Sequence, residues 1–127
     1  MGNRGQQGYK ELIVWQNSYK IRRRIFELTK GFPKVEIRRV SQMRDAARSI
    51  KQNIQEGYKR ASTGEYIHSL TISQGSLGEL LGDIQDCLDD GLIRQEEFKE
   101  LDELCGKTDY LFDRLIESLR RKIKDEK

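Results

Sequence analysis

The chain has 127 residues and a net charge of +3, with 35% charged and 35% hydrophobic residues, which suits one domain with a modest core. The apolar residues recur too regularly for a disordered chain, and neither a run of about 20 apolar residues nor a signal-peptide core is found, so we expect a soluble, cytoplasmic protein. Cys87 and Cys105 are too few for a disulfide framework and lack CxxC spacing, so both are expected in the core.

Apolar residues recur with helical spacing, and strand-like alternation is absent from the sequence. Four helices are predicted, over residues 11–30, 35–58, 63–90 and 95–122. We expect Ser62 or Thr63 to cap the third helix and Gly91 to stop it. A flexible N-terminal tail (1–8) and a frayed C-terminus (124–127) should flank the domain at 9–123. Short connections between four helices predict an all-α, antiparallel, up-down-up-down four-helix bundle.

The first helix has an apolar arc about 200° wide, broader than a single core requires. The arc is formed by Leu12, Val14, Trp15, Tyr19, Ile21, Ile25, Phe26 and Leu28. Such a helix is expected to be covered on two sides. Arg22 projects into the arc, and we expect it either to lay its stem along apolar side chains or to meet a carboxylate of a neighbouring helix or subunit.

The second helix has three faces. Met43, Ala47, Ile50 and Ile54 form an apolar seam, and Arg44, Arg48 and Lys51 lie on a basic flank that Lys59 and Arg60 extend. The opposite flank is polar and is expected to form a cluster with the third helix, consisting of Gln42, Ser49, Asn53, Glu56, Ser76 and Glu79. A cluster of this kind more often fixes helix register than performs catalysis.

Three glycines of the third helix, Gly75, Gly78 and Gly82, fall with Thr71 on one stripe. Each should cost roughly 1 kcal/mol relative to Ala in a helix, so their alignment needs a structural reason. We predict a close helix contact along this stripe, either with the first helix or across a subunit boundary.

Charge is distributed unevenly along the chain. Residues 1–60 contain 15 Lys/Arg and 5 Asp/Glu, whereas residues 61–127 contain 9 and 16. The basic helices could pair with acidic helices within the bundle or between subunits, or a basic surface could bind an anionic partner. For a nucleic-acid partner, the candidate phosphate-binding residues are Arg23, Arg24, Arg44, Arg48, Lys51, Lys59 and Arg60.

Catalytic patterns are weak in this sequence. Glu65 and His68 have the i, i+3 spacing used in di-metal carboxylate bundles, but such sites need two pairs and this chain has one histidine. The same single histidine removes Ser–His and Cys–His arrangements within one subunit, and no P-loop or GxGxxG occurs. We therefore expect no catalytic residues, metal or cofactor.

Five sequence features in order carry a family resemblance over about residues 9–123. They are Leu12-x-x-Trp15-Gln16, the Phe32-Pro33 turn, QMRDAARSIKQNIQEG at 42–57, Glu65-Tyr66, and Gly75-Ser76-Leu77-Gly78-Glu79-Leu80. On these the sequence resembles the four-helix bundle proteins encoded in intervening sequences of 23S rRNA genes. Asp45 departs from the family pattern, which usually has a second Arg after Arg44, and so lowers the local positive charge.

The resemblance implies an antiparallel four-helix bundle that assembles into a ring-shaped homopentamer. A distant similarity to the accessory variability protein of diversity-generating retroelements implies a nucleic-acid partner and a reverse transcriptase partner. The first hypothesis is therefore a non-catalytic, homo-oligomeric scaffold that binds structured RNA or DNA through a basic surface on the first two helices. The alternative is a protein-interaction adaptor, such as an accessory subunit of a retroelement reverse transcriptase.

Overall fold

The protein is described by a computed structural model that covers residues 7–60 and 62–125. This part of the chain contains four α-helices and two short 3-10 helices, and no strand. The α-helices are α1 (Ile13–Thr29), α2 (Ile37–Tyr58), α3 (Thr63–Asp89) and α4 (Gln95–Asp125), and the 3-10 helices are Gly8–Glu11 and Lys34–Glu36. The predicted all-α class is confirmed. Most of the predicted tail at 1–8 and the last two residues lie outside the described residues, and α4 continues to Asp125, beyond its predicted end at residue 122.

Each helix packs against its two sequence neighbours in a closed arrangement. α1 contacts α2, α2 contacts α3, α3 contacts α4, and α4 returns to α1, with the most extensive contact between α2 and α3. The connections between the helices are short, so successive helices run in opposite directions, as predicted for an up-down-up-down bundle.

Local chemistry sets both ends of α3. The Ser62 hydroxyl oxygen accepts a hydrogen bond from the Glu65 amide at 3.1 Å, which satisfies one free N–H of the first turn. At the other end, Gly91 adopts φ +75°, the Leu92 amide donates to the Cys87 carbonyl at 2.9 Å and the Gly91 amide donates to the Leu88 carbonyl. This is a Schellman motif, which needs a glycine in the left-handed region.

The core follows the apolar seams of all four helices. Its fully buried side chains include Ile21, Ile25, Met43, Ile50, Ile54, Leu70, Leu77, Ile84, Leu101 and Phe112. The predicted α2 seam is confirmed at every position. In α3 Leu80 is fully buried together with Leu70 and Leu77, whereas its neighbour Leu81 is half-buried.

Cys87 and Cys105 are both free and buried, as predicted. Burial raises the pKa of the Cys105 thiol to about 12, so this side chain is neutral and apolar at physiological pH. None of the helices in the described ranges is long and apolar enough to span a lipid bilayer.

α2 and α3 approach each other closely at Gly57, near the end of α2. A Cβ atom at this position would lie 2.5 Å from the Ser69 Cβ atom and 3.2 Å from the Tyr66 ring of α3. Real Cβ contacts are longer, so a glycine is required where α2 passes α3. The small residues that bring helices together were predicted on the glycine stripe of α3, but within this chain they lie at Gly57 and Ser69 instead.

Candidate functional site

Two side-chain stripes of equal spacing face each other where α1 and α2 pack. With i, i+4, i+7, i+11 spacing, the α1 stripe contains Trp15, Tyr19, Arg22 and Phe26, and the α2 stripe contains Arg44, Arg48, Lys51 and Gln55. The helices are antiparallel, so the first residue of one stripe meets the last of the other. The Trp15 indole N–H donates to the Gln55 side-chain oxygen at 2.9 Å. At the opposite end, Arg44 lies 4.3 Å from the Phe26 ring centroid.

This register places positive charges next to one another in the middle of the stripes. Lys51 lies near Arg22 across the helix pair and near Arg48 on its own helix. Burial lowers the pKa of Lys51, and the charges of Arg22 and Arg48 lower it further. We define the cationic face as Arg22, Arg23, Arg44, Arg48 and Lys51.

No carboxylate of the described residues lies within ion-pair distance of the cationic face. None of its five side chains makes an ion pair with a carboxylate of residues 7–60 or 62–125. Arg22 was predicted to meet a carboxylate or to lie along apolar groups. It has no such ion pair within the described chain, and its guanidinium lies 5.9 Å from the Phe26 ring centroid instead. The face therefore gathers five cations, none of which has an ion-pair partner among the described residues.

Aromatic rings line the same face. Tyr19 stacks on Trp15 with centroids 5.3 Å apart and an interplanar angle of 19°. Arg23 lies beside Tyr19 and, through a hydrogen bond and its charge, lowers the pKa of the Tyr19 hydroxyl. Tyr19 and Phe26 remain 38% and 37% exposed, so the wide apolar arc of α1 is not covered on its second side within one subunit. The sequence predicted the apolar arc of α1 and the cations of α2 as separate features. The signal that joins them is the i, i+4, i+7, i+11 spacing that the two stripes share.

Three predicted phosphate-binding residues lie away from the cationic face. Arg24 forms an ion pair with Glu100 of α4 and so points to the other side of α1. Lys59 lies further along α2, where its ammonium group is 5.8 Å from the Tyr9 ring centroid. Arg60 lines a separate open pocket at the start of α3 with Glu65, His68 and other residues.

Arg44 is held in place by the end of α1. Its guanidinium donates to the Thr29 hydroxyl at 2.9 Å and to the Phe26 carbonyl at 3.3 Å, and it stacks over the Phe26 ring. These contacts satisfy part of its hydrogen-bonding capacity but leave its charge unpaired. Arg44 therefore links α1 to α2 as well as adding charge to the face.

Ion pairing within the bundle accounts for little of the charge asymmetry. Only two ion pairs among the described residues join the basic half to the acidic half, Arg24–Glu100 and Arg39–Asp90. The Asp90 carboxylate also raises the pKa of Arg39. The other ion pairs are local, between residues two to four positions apart. Direct ion pairs among the described residues therefore balance only a small part of the charge asymmetry.

Part of the predicted polar cluster forms between α2 and α3. The Ser49 and Ser76 hydroxyl oxygens are 2.9 Å apart, and the Asn53 amide donates to the Ser49 carbonyl and hydroxyl at 2.9 and 3.0 Å. Ser73 adds a hydrogen bond to the Ile50 carbonyl at 2.7 Å. Buried hydrogen bonds of this kind fix the helix register.

The other three residues of the predicted cluster do not join it. Gln42, Glu56 and Glu79 are exposed. Gln42 lines an open polar pocket with Arg39, Asp83 and other residues near the start of α2. Glu79 acts on Asp83, whose pKa is raised first by burial and then by the charges of Asp86 and Glu79. Periodicity placed these three on the correct flank, but the flank turns toward solvent near its ends.

The glycine stripe on α3 faces open space. Gly75, Gly78 and Gly82 have no heavy atom within 4 Å of a built Cβ position, and Thr71 is exposed. α1 does not contact α3 within the described chain, so the predicted contact with the first helix is wrong. The physical reason is that α1 lies diagonally across the bundle from α3. The subunit contact stays a prediction.

We expect Gly75→Ala combined with Gly78→Ala to lower the molecular mass in solution, measured by light scattering. Two added methyl groups would hold a neighbouring subunit's helix away from the stripe. Gly106→Ala is the matched control, since Gly106 is also helical with open space around its Cβ position. The control should gain about 1 kcal/mol of stability without a change in mass. A stripe variant that gains the same stability and keeps its mass would rule out this contact.

The pair that suggested a metal site, Glu65 and His68, lines an open pocket. His68 and Glu65 are exposed at the start of α3. Within residues 7–60 and 62–125, no group of three or more His, Cys, Asp or Glu side chains is arranged to hold a metal ion.

A protein-family model and a solved structure both match this chain. Residues 10–113 match the family model described as 23S rRNA-intervening sequence protein. The structure is similar to a crystal structure from Bacteroides thetaiotaomicron, described as a protein with unknown function from the S23 ribosomal protein family. The TM-score is 0.77 at 20% identity, over 83% of this chain and 96% of that one. At this identity the likeness concerns the fold. A search of curated proteins returned no significant match.

Proposed function

The chain belongs to the 23S rRNA-intervening sequence protein family, and we propose that it is a non-catalytic, homo-oligomeric scaffold that binds structured nucleic acid. The binding surface in this proposal is the cationic face on α1 and α2. Arg24, Lys59 and Arg60, which the sequence also predicted as phosphate-binding residues, lie outside this surface.

The observation that carries the proposal is the absence of ion pairs on the cationic face. Five cations gathered within a few turns of two helices repel one another. The pKa of Lys51 is lowered first by burial and then by the charges of Arg22 and Arg48. Elsewhere in the described chain, Arg24, Lys30, Arg39, Arg94 and Arg121 each have a carboxylate within ion-pair distance. Phosphate groups would relieve the repulsion and release condensed counterions, which favours binding.

The homo-oligomeric part of the proposal rests on surfaces that one subunit leaves uncovered. The glycine stripe of α3 is open, and an open groove of about 420 Å³ lies between α1 and α4. Leu12, Leu111 and Leu115 line this groove, and Ile13 beside them is 59% exposed. Contact between apolar surfaces of neighbouring subunits would bury this area. By family resemblance, we propose a pentamer.

We expect the protein to bind RNA or DNA at low salt, and the logarithm of its association constant to fall linearly with the logarithm of salt concentration. Each phosphate neutralised on duplex DNA contributes about 0.9 to the slope, so five cations predict a slope near −4 to −5. Fluorescence anisotropy across a salt series measures it. Absence of binding at low salt, or binding that is indifferent to salt, would contradict the proposal.

A protein-interaction adaptor is the second candidate function, and the apolar groove between α1 and α4 favours it. Such a groove suits a partner's apolar side chains better than phosphates. A reverse transcriptase is the partner class suggested by the distant resemblance. Co-purification with a reverse transcriptase encoded beside this gene would support the adaptor, and the Ile13→Glu variant should then lose the partner while retaining nucleic-acid binding.

A further inference from the structure

Tyr19 occupies a distinctive position beside the cationic face, because Trp15 is the one ring that stacks on it among residues 7–60 and 62–125. Trp15 lies on one face of the Tyr19 ring, and Trp15 is itself anchored by its hydrogen bond to Gln55. Tyr9 meets Trp15 edge-on with centroids 5.3 Å apart, which fixes the tryptophan further. The stack is therefore rigid up to Tyr19, whose side chain remains 38% exposed.

Phe26, the other exposed ring beside the cationic face, already contacts cationic side chains. Three cationic groups approach it, with Arg44 at 4.3 Å, Lys30 at 5.0 Å and Arg22 at 5.9 Å from the ring centroid. A ring surrounded by cations positions those cations for an anion. Tyr19 is thus the ring available for an additional planar group.

The cations around Tyr19 have the arrangement that a nucleic-acid strand needs. Arg23 lies beside its hydroxyl, and both Arg22 and Lys51 are close enough to lower its pKa. Proteins that bind unpaired nucleotides combine aromatic rings that stack on bases with Arg and Lys that contact the flanking phosphates. A base-paired duplex cannot offer the face of an internal base to a protein ring, since its bases are stacked on one another.

We propose that Tyr19 stacks on an unpaired base, and that the preferred ligand of the cationic face is the single-stranded part of a structured RNA or DNA. This inference rests on the proposed function and specifies its ligand. Trp15 and Tyr19 form the stacking platform, while Arg22, Arg23, Arg48 and Lys51 contact the flanking phosphates.

The test compares an RNA hairpin that has an unpaired loop with a blunt duplex of the same number of phosphates. We expect Tyr19→Leu to weaken hairpin binding about 5- to 100-fold, and to leave duplex binding and the salt slope nearly unchanged, because stacking is lost without loss of charge. Tyr19→Phe is the matched control and should bind the hairpin nearly as well as the natural protein. Trp15 is the single tryptophan of the chain, so quenching of its fluorescence by the hairpin reports a base near Tyr19.

The outcomes separate this inference from the proposed function. If the protein binds with the expected salt slope but Tyr19→Leu changes neither hairpin affinity nor Trp15 quenching, stacking is wrong and the proposed function stands. If Tyr19→Leu instead changes the mass in solution with no selective effect on the hairpin, Tyr19 belongs to a subunit contact, and the stacking inference is overturned. If the natural protein binds neither RNA, both proposals fail together.

Discussion

Replacing Arg22, Arg48 and Lys51 together by glutamate is expected to weaken nucleic-acid binding about 100-fold or more near physiological salt. The three side chains lie in the middle of the cationic face, where the described chain offers them no ion pair. Each lost phosphate contact should also lower the salt slope by about one, so the slope falls by about three. Arg44 is left intact because it bonds to Thr29 and Phe26 and its loss would disturb the end of α1.

The matched control reverses Lys99, Lys107 and Arg120 on α4, which are exposed and change the net charge equally. Its binding should fall far less, since these residues lie outside the cationic face. The binding-deficient variant should fold as stably as the natural protein. The pKa of Lys51 is lowered on folding, so protonated Lys51 destabilises the folded state. This destabilisation is complete below the folded-state pKa and disappears as pH rises to the unfolded-state pKa. Equal losses of binding in the two variants would mean that net charge alone matters.

Gly57→Ala is expected to lower the free energy of unfolding by about 2 kcal/mol, measured by chemical denaturation. The added methyl would lie 2.5 Å from the Ser69 Cβ atom, and that atom is bonded directly to the α3 backbone and cannot turn away. α2 and α3 would have to separate. Separation would strain the Ser73–Ile50 hydrogen bond, which lies further along the same interface.

A second substitution tests this explanation. Ser69→Gly removes the two nearest atoms that the new methyl would meet and leaves the Tyr66 ring at 3.2 Å. The Gly57→Ala, Ser69→Gly double variant should therefore recover much of the stability lost by Gly57→Ala alone, apart from about 1 kcal/mol for a glycine in α3. The same glycine-to-alanine change at Gly106 should stabilise the protein. A neutral effect of Gly57→Ala would show that the two helices are not tightly packed there.

The sequence predicted the chemistry of the candidate site, a basic surface, better than it predicted which residues form that site. The basic flank of α2 was found from the spacing of Arg44, Arg48 and Lys51, because residues three and four apart share a helix face. Arg22 and Arg24 are two residues apart on α1. The sequence analysis predicted Arg24 as a phosphate-binding residue and Arg22 as a residue that contacts a neighbouring helix or subunit. The structure places Arg22 beside Lys51 and Arg24 against Glu100. Nothing in the local sequence states which neighbour each arginine meets.

The sequence by itself determined the four helices, their buried seams, the Ser62 cap and the Gly91 stop. These depend on hydrogen bonds and apolar periodicity within a few residues of each position, so they can be recognised locally. Only the tertiary structure decided that α2 and α3 approach closely at Gly57 and that the α3 glycine stripe is open. It also decided that the cationic face has no ion-pair partner among the described residues. Those properties depend on distances between side chains far apart in sequence, which the order of the helices and the register between them set.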